Sequence, residues 1–168
     1  MKIRMTEELA TTRLQTPIGP LRLAADPEGL VAVLFAVDPQ ELPVSQGAAR
    51  ARAHLSDAGT ALEEYFAGRR TSFEGLKLAA NGTEFQRQVW GALSGIPFGE
   101  TATYAGMARR IGRPSAVRAV GLANGQNPLP IIVPCHRVIG SNGALTGFAG
   151  GIPAKKWLLE FEGALPRV

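Results

Sequence analysis

The sequence predicts a mixed α/β protein of the α+β type: a small N-terminal antiparallel sheet with one helix, then a mainly helical half containing a helix-turn-helix. Three observations carry that expectation. Apolar stretches broken by turn residues run from 12 to 37, helical spacing with capping residues recurs after 83, and the chain changes character between about 78 and 83, at LAANGT. The boundary is placed so that 1–80 and 81–168 form two domains.

In chain order, TRLQT, GPLRLAAD and GLVAVLFAV read as strands of a hairpin or meander, divided by PIG and DPEG, which are turn sequences. The third strand is apolar enough to be expected at the centre. From Ser45 to Arg70 an alanine-rich stretch with interspersed charge predicts a helix, with Leu62, Tyr65 and Phe66 on one face and Gly68 at its end. Thr83 and Gln86 have the spacing of a capping box, and Phe85, Val89 and Leu93 follow at helical intervals. Thr103 is expected to cap a helix through Ile111. Gly112 breaks it, and Pro114 is expected at the first position of a second helix ending at Asn124 and Gly125. Leu129 to Val133 predicts a short buried strand halted by Pro134, with Cys135 just past its end. The Gly-rich GFAGGIP then leads into a helix with Pro153 in its first turn and Gly163 after its last. Trp90 and Trp157 are expected in the core.

The formal net charge of +4 is unevenly spread. Residues 1–83 hold nine basic and ten acidic side chains, whereas 84–168 hold nine basic against four acidic, and no acid lies between Glu100 and Glu160. That interval carries Arg109, Arg110, Arg113 and Arg118 around the helix pair, a pattern that fits a polyanionic partner and, on charge alone, equally fits a solvated basic face. One cysteine and two histidines, His54 and His136, supply neither an internal disulfide nor a closed zinc site. No phosphate-binding or dinucleotide-binding glycine motif occurs, so neither metal nor cofactor is expected. No apolar span has membrane length, and MKIRMTEELATTR lacks the apolar run of a secretory signal. A cytoplasmic protein is expected.

Cys135 is either a small packed hydrophobe or a nucleophile. His136 and Arg137 beside it favour the second, by offering a base and a cation that lower the thiol pKa. On an extended chain, though, adjacent side chains point to opposite faces, so His136 is expected to reach the sulfur only through a bend or a bridging water. Glu162 is the candidate carboxylate behind the histidine and Glu160 its competitor; otherwise both are surface charges paired with Lys155 or Lys156. The loop before the last helix is either a plain surface turn or a set of backbone N–H groups open to an anion or a developing oxyanion. Tyr104 begins the first helix of the pair.

RAVG at 118–121, NP at 127–128, PCHRVIG at 134–140, and GFAGG followed by KKWLLEFEG resemble the O6-alkylguanine-DNA alkyltransferases, the methylated-DNA–protein-cysteine methyltransferases. The resemblance spans roughly 83–163. It implies DNA repair by direct, stoichiometric, irreversible transfer of an alkyl group from a flipped O6-alkylguanine to Cys135, with O4-alkylthymine a further candidate substrate. His136, oriented by Glu162, takes the thiol proton through a water, and Asn127 organises the turn at the site. Tyr104 donates to N3 of the base. The carbonyls of Cys135 and Val138 read the exocyclic amine, the Ala149 amide donates to O6, and Arg118 fills the place of the extruded nucleotide. DNA contact is implied at Arg113, Ala116, Ala119, Gly121 and Ser141, the small residues permitting close approach in the minor groove. The partner is double-stranded DNA bearing alkylated bases, bound by a monomer, with cooperative binding left open. Phe148 and Ala149 depart from the tyrosine and serine of many members and leave a roomier pocket. Two other readings stay beside this one: DNA binding without chemistry, and a cysteine hydrolase using His54 or His136.

Overall fold

The computed structural model describes residues 2–165 and divides into two compact units, one ending at Asn81 and the next beginning at Gly82. In the first, β1 (Ala10–Leu14), β2 (Leu21–Asp26) and β3 (Gly29–Phe35) form an antiparallel sheet in the order β1-β2-β3. Leu21 faces Leu14 on one side and Phe35 on the other. The central strand is therefore β2, not the more apolar β3. The apolarity of β3 has another cause: its outer edge is covered by the return of the chain, where Leu30 N–H donates to the Lys77 carbonyl and Ala79 N–H to the Leu30 carbonyl, both at 2.8 Å. β1 begins two residues earlier than the pattern suggests and ends at Leu14. Thr16 ends it, since its hydroxyl donates to the Gly19 carbonyl at 2.6 Å and accepts from Ile18 N–H, closing a side-chain turn.

Helix α1 (Ala49–Phe66) lays Ala51, Leu55, Ala58, Ala61, Leu62 and Tyr65 against the sheet. Phe66 is only half-buried and meets Tyr65 edge-on at 5.1 Å. The helix stops as expected at Gly68, whose φ of 76° lets Arg69 N–H reach back to the Glu64 carbonyl.

The second unit opens with α2 (Glu84–Leu93), whose capping box is formed: Gln86 N–H donates to the Thr83 hydroxyl at 3.1 Å and Thr83 N–H to the Gln86 side chain at 2.9 Å. A two-residue strand β4 (Ala102–Thr103) leads into α3 (Tyr104–Arg110), and α4 (Val117–Gly125) follows the Gly112 corner to complete the helix-turn-helix. Pro114 does not open α4. It occupies the second position of a turn closed by Ala116 N–H on the Arg113 carbonyl, and the helix starts three residues later. Val89, Leu93, Met107, Ala108 and Val120 fill the space between the three helices, and buried Trp90 donates its indole N–H to the Ala123 carbonyl at 2.9 Å. Trp157 is half-buried, stacked on Phe161 at 4.8 Å, rather than in the core.

Leu129–Val133 is buried but is not a strand. Pro128, Pro130 and Pro134 leave too few donors for a ladder. The segment instead folds on itself, with Val133 N–H on the Leu129 carbonyl and Ile131 in the left-handed region at φ 76°. A single 3₁₀ turn (Cys135–Arg137) runs into β5 (Val138–Ile139), which pairs in parallel with β4, and the unit closes with α5 (Ile152–Phe161). Gly163 ends α5 at φ 77°, with Ala164 N–H on the Leu159 carbonyl. Among the described residues no helix is long and apolar enough to cross a membrane.

Candidate active site

The site is built where the end of α4, the proline-rich segment and the end of α5 meet. Asn127, 7% exposed, does the hydrogen bonding that the prolines cannot: its Nδ2 donates to the Val133 carbonyl at 2.8 Å and its Oδ1 accepts from Leu129 N–H at 2.9 Å. Its side chain also hydrogen-bonds Cys135. Asn127 thereby fixes the strained Ile131 turn and the thiol that follows it.

Cys135 is buried, and burial pushes its thiol up to about 11. The Asn127 hydrogen bond, the charge of Lys155 and the amides of Cys135 and His136 oppose that shift without reversing it. The expected depression of the pKa is thus not found. Its expected source is also elsewhere engaged, since the Arg137 guanidinium is spent on a carboxylate.

That carboxylate is Glu162. Arg137 grips it with both edges of its fork, Nε to Oε1 at 2.8 Å and Nη2 to Oε2 at 3.0 Å, while Nη1 donates to the Ile96 carbonyl at 2.6 Å. His136 Nε2 lies 2.8 Å from Glu162 Oε2, with both side chains fully buried. A carboxylate only accepts, so Nε2 carries the hydrogen and the lone pair of the neutral ring sits on Nδ1. Nδ1 is buried and bonds to no protein atom among the described residues. Burial holds the imidazole below 6.5, against the pull of Glu162, so the ring is neutral and able to take a proton at neutral pH. The 3₁₀ turn is what brings Cys135 and His136 into one site, because successive side chains there diverge less than on an extended strand. Glu160 stays outside, paired with Lys156 at 3.7 Å.

Lys155 is fully buried and not a surface charge. Its ammonium donates to the Val138 carbonyl at 2.7 Å and to the Thr146 carbonyl at 2.8 Å, tying α5 to β5 and to the glycine loop, and burial brings its pKa down to about 8. Thr146 is also where Tyr104 arrives: the phenol donates to the Thr146 carbonyl at 3.4 Å and accepts from its hydroxyl at 3.3 Å. Phe148 is half-buried and edge-on to His136 at 6.5 Å, and Ala149 next to it is exposed.

Along the helix pair, Arg113, Arg118 and Ala119 are exposed and Ala116 half-buried, with the Arg113 guanidinium 5.7 Å above the Phe85 ring. Ser141 is exposed in the turn after β5. Gly121 lies beside Tyr104, where an added Cβ would meet the ring at 3.7 Å, an ordinary packing distance. His54 lies in the first unit, 3.2 Å from the Pro27 carbonyl.

Asn124, Lys155 and Ile96 were not legible as site residues. Lys155 is adjacent to another lysine on a helix and looks solvated, and nothing local marks the Ile96 carbonyl as an acceptor. Asn124 looks like a helix-ending residue before glycine, which it also is.

A buried thiol beside a neutral histidine backed by glutamate, on a unit built around a basic helix-turn-helix, defines the class as a cysteine nucleophile directed at DNA. The family described as 6-O-methylguanine DNA methyltransferase, DNA binding domain, matches residues 84–164, and its ribonuclease-like domain matches 9–80. The methylated-DNA–protein-cysteine methyltransferase of Methanosarcina acetivorans is 51% identical over 150 residues, covering 89% of this chain and 96% of that protein. The protein of the same name from Salmonella typhimurium is 42% identical, covering 97% and 98%. The crystal structure of Mycobacterium tuberculosis OGT in complex with DNA superposes with a TM-score of 0.82 at 44% identity, over 92% of this chain and 93% of that one. The chain belongs to the methylated-DNA–protein-cysteine methyltransferase family, as PCHRVIG and its companions suggested.

Proposed function

We propose that this protein repairs DNA by taking the alkyl group of O6-alkylguanine onto Cys135, once per molecule. The observation that carries the reading is the pairing of a neutral, buried His136, whose Nδ1 is uncommitted, with a buried thiol near 11. A thiol that rests protonated needs its proton removed during the reaction. The proton passes through one water to Nδ1, and Glu162 supports the imidazolium, its own charge held by Arg137. The sulfur attacks the alkyl carbon; the S–C bond forms as the C–O6 bond breaks, and the electron pair stays on the purine. Tyr104 donates to N3 as charge develops there, and the base leaves as neutral guanine after taking up one proton.

The alkyl carbon is shielded within a duplex, so the nucleotide must leave the stack, with exposed Arg118 on α4 bracing the gap. Exposed Arg113, Ala119 and Ser141, with half-buried Ala116 and Gly121, lie against the duplex. The carbonyl of Val138 keeps one lone pair for the exocyclic amine, the other being taken by Lys155. The Ala149 amide donates to O6. The first unit supplies the smaller sheet-and-helix domain, and the second the acceptor and DNA-binding domain. A thioether offers no leaving group for a second step, so each molecule, acting as a monomer, is consumed. Titration with excess duplex carrying O6-methylguanine is expected to plateau at one methyl per protein. Continued turnover, or transfer to a Cys135→Ala variant, contradicts the reading.

A further inference from the structure

Leu122 is a large apolar side chain left bare on α4, the helix that carries Arg118. The helix buries Val120, Ala123 and Asn124 on one side, where Asn124 Nδ2 donates to the Cys135 carbonyl at 3.4 Å and ties the helix to the acceptor turn. Its other side exposes Arg118, Ala119, Leu122 and Gln126, the spacing of a single helical face. Leu122 is 65% exposed there. A lone exposed leucine is ordinary on a protein surface. The place of this one is not ordinary: it stands four residues after Arg118, one turn along the same face, and its neighbours Ala119 and Gly125 are too small to cover it.

A four-residue step along a helix is about 6 Å, so wherever the guanidinium enters the duplex the leucine meets the groove within about two base-pair steps of it. Water leaves that face as the duplex closes on it. Leucine offers nothing to a phosphate, and its gain comes only from the apolar edges of sugars and bases, which is how apolar wedges act on a base step in the minor groove. We propose that Leu122 is a second wedge beside Arg118. The cation fills the place of the extruded nucleotide, and the leucine packs against the adjoining base pairs and keeps the opened step from reclosing. Leu122 is thus a positioning residue: it acts on the duplex and touches none of the reacting atoms. This rests on the alkyl-transfer reading above.

The test compares the whole chain as wild type, Leu122→Ala and Leu122→Met. It measures single-turnover methyl transfer from O6-methylguanine in a duplex and in the same strand unpaired, and binding to that duplex over a range of salt. The position is exposed and alanine is the best helix former, so the urea midpoint is expected to stay where it is. Leu122→Ala is expected to slow transfer from the duplex by about five- to tenfold and to spare the single strand, and Leu122→Met, which keeps the apolar reach, to recover most of the loss. Duplex binding by the alanine variant is expected to weaken with no change in the slope of log affinity against log salt, whereas losing a phosphate-bound cation lowers that slope by about one. Duplex transfer as fast as wild type, equal slowing on both substrates, a methionine variant as slow as the alanine one, or a lowered salt slope each overturns the proposal. If wild type takes no methyl from either substrate, the alkyl-transfer reading itself falls, and the duplex-binding comparison alone decides the role of Leu122.

Discussion

Replacing Lys155 with methionine removes the cation that opposes burial at Cys135 while filling nearly the same space. With the thiol near 11, about one molecule in a thousand holds a thiolate at pH 8. Loss of a nearby opposite charge moves a pKa by about one to three units, so the variant has at least about tenfold less thiolate at neutral pH. Each unit corresponds to about 1.4 kcal/mol. Alkylation by iodoacetamide, followed by intact mass, reads this directly because the reagent needs thiolate and no DNA. Lys155 titrates near 8, so the wild type itself loses the cation as pH rises. The gap between wild type and Lys155→Met is therefore expected to be widest below pH 8 and to narrow above it. A variant as reactive as wild type at pH 7, or a gap that does not change with pH, refutes the electrostatic role and leaves Lys155 as a tether of the Thr146 loop.

The same two shifts shape stability against pH. Lys155 binds its proton less tightly folded than unfolded, about 8 against 10.5, so the unfolded state holds more protons in that window and stability rises with pH through it. Cys135 is the reverse, about 11 against 9.0, so its contribution is complete below 9 and is lost by 11. Urea titrations are expected to show a gain between pH 8 and 9 and near-cancellation above it; a fall from 8 to 9 contradicts the burial of Lys155. Arg137→Met leaves Glu162 buried without its bidentate partner and is expected to cost about 3–5 kcal/mol, read from the shift in urea midpoint. An unchanged midpoint places that ion pair in water. Arg118→Ala is expected to slow transfer from duplex by roughly tenfold while sparing single-stranded substrate, which needs no extrusion; equal slowing of both contradicts its bracing role.

What was legible from the sequence was local. Thr83 with Gln86 and the glycines at 68 and 163 announce helix ends because their hydrogen bonds close within a few residues. The family was legible for a related reason: Cys135, His136 and the acceptor loop are short, ordered stretches. Features set by distant parts of the chain were not. β3 looks central because the return at 77–79 covers its edge, and Pro114 looks like a helix start because only Ala116 closing back on Arg113 makes it a turn. Leu129–Val133 looks like a strand because its apolarity is real, but three prolines and the Asn127 side chain decide its path. Lys155 is the sharpest case. Its charge suggested solvent, and only the Val138 and Thr146 carbonyls, 17 and 9 residues away, make burial tolerable.

The central claim is that Cys135 is the acceptor, and peptide mass mapping after exposure to duplex tests it most directly. With O6-methylguanine present, the peptide containing Cys135 is expected to gain one methyl mass in every molecule, and with lesion-free duplex none. Methylation at any other residue, or an unmodified Cys135 after the lesion has been repaired, would contradict it.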